Sequence, residues 1–255
     1  MIEFQNVSFS LNDNVILNNV SMKIEKGLNT VVLGPSGAGK SSILKIILGL
    51  WVPDKGRILY EGKDTGEMTE EELLELRKSI GMVFQGNALF DSLTVAENIL
   101  YFRKDKKKLS EKELNYIVDE ILSFVNLSGT GNLYPEDLSG GMKKRVSIAR
   151  ALAINPKIIL LDEPTTGLDP INTISILELI EKFKSNGTTS VVVTHILDDA
   201  IEVGDNFVMI NQGSIEEAGD IRHILKTENK FVKDFFRRLT QEKHNPFLKL
   251  SKEAI

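Results

Sequence analysis

At 255 residues, 42% of them apolar, the chain can bury one large core or a core with an added lobe, which excludes disorder as its main state. A formal net charge of −5 argues against a chain whose main task is gripping nucleic acid, because that task leaves a basic domain or stripe. The absence of cysteine removes disulfides, thiol catalysis and cysteine-ligated zinc, and fits a reducing compartment.

The amino terminus, MIEFQNVSFSL, alternates apolar and polar residues and lacks both a basic leader and a long apolar run, so it does not read as a signal peptide. Residues 2–33 predict β-structure: period-two alternation in EFQNVSFSL, a polar turn at NDN, alternation again in VSMKI, and a buried strand at TVVL. Residues 34–39 then form a loop, and KSSILKIILGL a helix whose stop is marked by Pro53. The longest near-continuous apolar stretch, IILGLWV at 46–52, falls far short of the roughly 18 residues that a bilayer-spanning helix needs, so any membrane role comes through a partner. GRILYEG predicts a further strand, and TEEELLELRKSI a short helix with a threonine cap and acids in its first turn.

From 86 to 155 the periodicity is helical with polar breaks, as in LSEKELNYIVDEILSFVNL, which predicts a helical lobe inserted into an α/β core. The basic run RKDKKK at 103–108 reads as solvated surface. KIILLDEP, TSVVVTH and NFVMI return as buried strands, separated by helical stretches such as INTISILELIEKFKSNG. Strands alternating with helices predict an α/β fold with a mostly parallel core sheet covered on both faces, preceded by an antiparallel β part. One domain is expected over 1–240, with 241–255 as a tail.

GPSGAGKS at 34–41 matches the phosphate-loop pattern, following a buried strand and opening a helix. From Gly34 through Pro35, Ser36, Gly37 and Ala38 to Gly39, the backbone turns its N–H groups toward a phosphate chain. Lys40 can neutralise β- and γ-oxygens and Ser41 can ligate Mg2+, with Ser42 completing the expected phosphate-binding stretch. IILLDE ends a strand on two carboxylates, and neighbours on a strand point to opposite faces. Asp162 is therefore expected to hold Mg2+, directly or through one of the ion's own ligands, and Glu163 to reach the water that attacks the γ-phosphate. His195, at the end of the VVV strand, lies where ligands bind in an α/β sheet and can hold the γ-phosphate and the water in line. Gln85, after GMVF, sits between core and lobe, where its amide can sense Mg2+ or water. A second glycine turn, EDLSGGMKKR at 136–145, opens a basic helix near Met142 and is also built to hold an anion.

The order GPSGAGKS, Gln85, LSGGM, IILLDEPTTGLD, His195 resembles the ATP-binding subunit of an ABC transporter, over about 2–225. The resemblance implies a P-loop ATPase with ATP and Mg2+ as cofactors and head-to-tail pairing of two copies. In that pairing Ser139, Gly140, Gly141 and Asp169 act on the nucleotide held by the other copy. The usual fifth signature residue is glutamine, where this chain has Met142, and the adenine-stacking position falls at Leu11, with Phe9 two residues away as a substitute.

FQGNALFDSLTVAENI at 84–99, LSGGMKKRV and DEPTTGLDPI further resemble the ATPases of MCE-linked, Mla-type lipid transport systems, with FVKDFFRRL and NPF as weaker parallels. That implies a cytoplasmic chain held peripherally at the cytoplasmic face of the inner membrane by a multi-span permease, with an MCE-type lipid-binding protein, with or without a small regulatory subunit, and no nucleic acid. Importers or exporters of other substrates and a permease-free soluble ATPase are the alternatives. Leu89, Phe90 and Leu93 read equally as an interaction surface or as the lobe's own core. Phe231, Val232, Phe235, Phe236 and Leu239 share one helical face, which predicts packing on the body or on a partner.

Overall fold

The computed structural model describes residues 1–103 and 108–241, with side chains through Arg237. Most of the basic run, the Leu239 side chain and the tail with NPF lie outside the described residues.

β1 (Ile2–Leu11) and β2 (Asn14–Ile24) pair antiparallel around the predicted polar turn, and β4 (Lys55–Tyr60) and β5 (Lys63–Asp64) extend them into a four-stranded sheet in the order β2-β1-β4-β5. The second sheet runs β10-β9-β3-β8-β7-β6. Its strands are β3 (Asn29–Leu33), β6 (Ile80–Val83), β7 (Ile158–Asp162), β8 (Thr189–Thr194), β9 (Asn206–Asn211) and β10 (Ser214–Gly219). All pairings from β9 to β6 are parallel, and only β10 is antiparallel at the edge.

Strand alternation divides the buried side chains between two cores. Val31, Leu33, Ile159, Leu161 and Val192 face a helical layer, whereas Val32, Leu160, Val191 and Val193 face the antiparallel sheet. Covering both faces explains why these strands read as unbroken apolar runs, and each such side chain contributes about 1.5–3 kcal/mol.

The helical layer holds α3 (Val95–Leu100), α4 (Glu111–Phe124), α5 (Gly140–Leu152), α6 (Pro170–Ser185) and α7 (Leu197–Val203). Capping boxes at Thr94 with Glu97 and Ser110 with Glu113 start α3 and α4. Buried residues of α3, α4 and α5 join the same core as β3 and β7, and α5 packs on both α3 and β6. At the other side of the sheet α1 (Lys40–Ile47) packs with β1 and β2, and α2 (Glu70–Arg77) carries the predicted threonine cap as a capping box.

α1 stops earlier than Pro53 would require. Gly49 takes φ +62°, and the Arg77 guanidinium donates to the carbonyls of Leu48 and Gly49 at 3.0 Å each, satisfying acceptors that the helix leaves open. α8 (Ile221–Lys226) leads to α9 (Lys230–Gln241), whose Val232 and Phe236 are buried on the body, with Phe231 and Phe235 half-buried beside them.

Candidate active site

Close approach at Gly34 and Gly39 and a positive φ at Gly37 and Gly39 dictate the glycines of the loop between β3 and α1. A Cβ at Gly34 would lie 2.1 Å from the Ile210 carbonyl oxygen on β9. Gly39 caps α1 at φ +101°, and Gly37 has φ +79°, backbone that other residues adopt only under strain. Ala38 is buried, Pro35 half-buried, and Ser36 and Gly37 open to solvent, with Ser41 and Ser42 half-buried in the first turn of α1. Lys40 is only 6% exposed, and its ammonium donates to the carbonyls of Gly34 at 2.9 Å and Pro35 at 3.0 Å. Burial pushes its pKa down, opposed by the charges of Glu163 and Asp162.

Both carboxylates turn toward that lysine. Asp162 ends β7 and accepts from the Ser41 hydroxyl at 2.9 Å; burial raises its pKa, with the Ser41 bond acting against the rise. Glu163 has already left the strand at φ +48°, so the expectation of opposite faces is corrected: the left-handed turn swings its side chain to the same side as Asp162. That backbone costs on the order of 1–3 kcal/mol, strain that clusters at functional sites.

The Glu163 carboxylate is held from several directions. His195 Nδ1 lies 2.9 Å from each oxygen, and the hydroxyls of Thr166 at 3.0 Å and Thr194 at 3.4 Å donate to Oε2. Lys40 Nζ stands 3.8 Å from Oε1. Glu163 is buried while the His195 side chain is 44% exposed, so the imidazole connects the carboxylate to solvent.

The remaining predicted residues form a second cluster. Ser139 is the N-cap of α5, so the helix begins two residues before Met142, and its hydroxyl accepts from the Met142 N–H at 3.3 Å. Asp169 caps α6, accepting from the N–H groups of Ile171 and Asn172, bonds that hold its carboxyl below the usual range. The two caps are neighbours, because Gly141 leaves room for Asn172, whose Oδ1 would lie 2.2 Å from a Cβ there. Gly140 is exposed beside them. Among the described residues, no hydrogen bond or ion pair joins this cluster to Lys40, Ser41 or Asp162.

Gln85 is exposed just past β6, and no side-chain hydrogen bond ties it to Ser41 or Asp162 among the described residues. Leu11 is 43% exposed at the end of β1. Phe9 does not substitute for it: its ring is buried and stacked on Trp51 at 4.8 Å, committed to the core.

Sequence reasoning passed over the donors to Glu163 and a buried polar row on α5. Thr166 stood only three residues beyond Glu163. Lys144, Ser147 and Arg150 recur at helical spacing and are all buried, an environment long cations rarely occupy without partners. Asp199, buried on α7, is bonded by the Thr165 hydroxyl, and burial raises its pKa.

A phosphate cradle with its lysine, a hydroxyl–carboxylate pair and a second carboxylate held by an imidazole together suit transfer of a phosphoryl group to water. Residues 17–166 match the family described as ABC transporter. The chain is 36% identical over 238 residues to the intermembrane phospholipid transport system ATP-binding protein MlaF of Haemophilus influenzae, covering 93% of this chain and 90% of that one. It is 43% identical over 209 residues to the methionine import ATP-binding protein MetN of Corynebacterium diphtheriae, covering 82% and 61%. The dimeric, post-hydrolysis structure of the ATP-binding cassette MJ0796 bound to ADP and Pi is 34% identical with a TM-score of 0.78, covering 87% of this chain and 99% of that one. Sequence, structure and site chemistry agree that the chain belongs to the ABC transporter family, as an ATP-hydrolysing subunit.

Proposed function

We propose that two copies of this chain close head-to-tail around two ATP molecules and drive phospholipid movement through a separate multi-span permease. The observation that carries the reading is the separation of the two clusters. Among the described residues, the helix ends at Ser139 and Asp169 make no bond to the chain's own phosphate loop, and the positive ends of α5 and α6 suit the γ-phosphate held by another copy. The dimeric state of the MJ0796 cassette supports this pairing.

In each composite site the backbone from Gly34 to Ser42 wraps the phosphates and Lys40 binds the β- and γ-oxygens. The donor set fits Mg2+: Ser41 Oγ and Asp162 Oδ1 already converge at 2.9 Å, and Gln85 would add its amide oxygen. When bound, that ion neutralises charge on the terminal phosphates. Glu163 accepts the proton of the attacking water as the new P–O bond forms and the bond to ADP breaks, while His195 and Thr166 fix the carboxylate's direction. Leu11 offers the base only apolar contact.

Glu163→Gln is expected to cut turnover by about 10²–10⁴-fold while retaining ATP and accumulating dimer on size-exclusion chromatography. Turnover at the wild-type rate would remove Glu163 from its role.

The lipid reading is supported by the MlaF match over nearly the full length of both chains. An apolar groove lined by Leu48, Met82, Phe84, Phe102 and Ile154 suits a permease helix at the cytoplasmic face of the inner membrane. Among the described residues, no helix is long and apolar enough to cross a membrane. The higher identity to MetN supports a second reading, an importer ATPase. Purification in detergent separates them. A permease with an MCE-type lipid-binding protein, with or without a small regulatory subunit, supports the first, whereas a permease with a soluble amino-acid receptor supports the second. Bound nucleic acid would sink both.

A further inference from the structure

α5 carries a row of buried donors that no carboxylate among the described residues receives in a hydrogen bond or ion pair. Lys144 is 2% exposed, and its ammonium donates to the carbonyls of Phe84 at 3.2 Å and Gln85 at 3.0 Å. One turn on, the Ser147 hydroxyl donates to the Asn87 carbonyl at 3.0 Å. Beyond it the Arg150 guanidinium donates to the carbonyls of Asn87 at 3.0 Å and Ala88 at 2.6 Å, and lies over the rings of Phe90 and Phe102. Neither cation has an ion-pair partner among the described residues, and burial pushes both pKa values down, Asp162 opposing the fall at Lys144.

The loop they grip is under backbone strain. Asn87 and Ala88 take φ +62° and +52°, conformations that hold only when their surroundings impose them. A buried ammonium with no carboxylate in ion-pair range among the described residues, and only the more distant charge of Asp162 to favour it, is costly in a purely structural site, where an apolar residue of the same length would pack as well.

We infer that Lys144 is a positioning residue for Gln85: with Ser147 and Arg150 it locks the loop at 84–88 to the helix that Ser139 caps, so that Gln85 is presented to the Ser41–Asp162 side of the site. This rests on the role proposed for Gln85. One consequence is that the loop and α5 move as a single body. A shift of the Ser139 end on ligand contact then displaces Gln85, joining two clusters that share no direct bond among the described residues.

The test compares the full-length Lys144→Met, Lys144→Gln and Lys144→Arg chains. Lys144→Met keeps the length and removes the donors; it is expected to lower kcat at least about tenfold while the Kd for a fluorescent ATP analogue stays within about threefold. Amides of 84–90 are expected to exchange hydrogen about tenfold faster, with those of the phosphate loop unchanged. Lys144→Arg, which restores donors, should recover kcat and protection; if the methionine chain does not fold, Lys144→Gln, whose amide still donates but reaches less far than the ammonium, should show the same two losses in smaller measure.

Combined with Gln85→Ala, Lys144→Met should add little further loss of kcat. Unchanged exchange at 84–90 would overturn the clamp whatever happens to kcat. Faster exchange with kcat unchanged, or full additivity with Gln85→Ala, would overturn the positioning role. If Gln85→Ala alone leaves kcat intact, the reading of Gln85 fails, while the exchange data still decide the clamp.

Discussion

Glu163 is a non-glycine residue that takes a left-handed backbone immediately after a buried strand, and its carboxylate comes to lie 3.8 Å from the Lys40 ammonium. The sequence shows two adjacent carboxylates, and the alternation rule for strands then sends them apart; the rule does not apply once the chain has left β7, so their convergence on Lys40 was not legible. The glycine pattern at 34–39 was legible, because contact at Gly34 and Gly39 and a positive φ at Gly37 impose it. Gly34→Ala places a methyl carbon against the Ile210 carbonyl, and we expect it to destabilise the fold by about 3 kcal/mol in urea unfolding.

Asp199 gives a pH-dependent check at the same scale. Burial raises its folded pKa, so the folded state binds the proton more tightly than the unfolded one. Its stabilising contribution is therefore present at low pH and lost as pH rises through the folded pKa. Asp199→Asn removes a buried charge and keeps an acceptor for Thr165. We expect it to unfold at higher urea than wild type at pH 7, with the advantage shrinking as pH falls toward the ordinary carboxylate range.

At the scale of elements, strand and helix order could be read because the two periodicities are distinct and both faces of the parallel sheet are covered. Helix ends could not always be read. α1 ends on Gly49 and on a guanidinium from α2, a partner distant in sequence, whereas Pro53 was the only stop signal nearby. Arg77→Ala leaves the carbonyls of Leu48 and Gly49 without this donor, and thermal or urea unfolding is expected to show a loss of about 2 kcal/mol. The α5 donor row was hidden for a related reason: a basic helix face reads as solvated until the loop that covers it is known.

At the scale of the whole molecule, in the proposed reading the chain holds two half-sites for two different nucleotides, one built on the phosphate loop and Glu163, the other on the caps of α5 and α6. The signature turn and the phosphate loop were both visible as motifs, but one chain's geometry shows only that they do not meet. The most direct test mixes two inactive chains. Lys40→Ala loses its own cradle, and Ser139→Arg blocks the turn offered to a partner while its own cradle still binds ATP. Mixed pairs keep one intact composite site, so the mixture should regain about one quarter of the wild-type ATPase rate under random pairing. A mixture as inactive as its components, or loss of ATP binding in Ser139→Arg alone, would contradict sites shared between subunits.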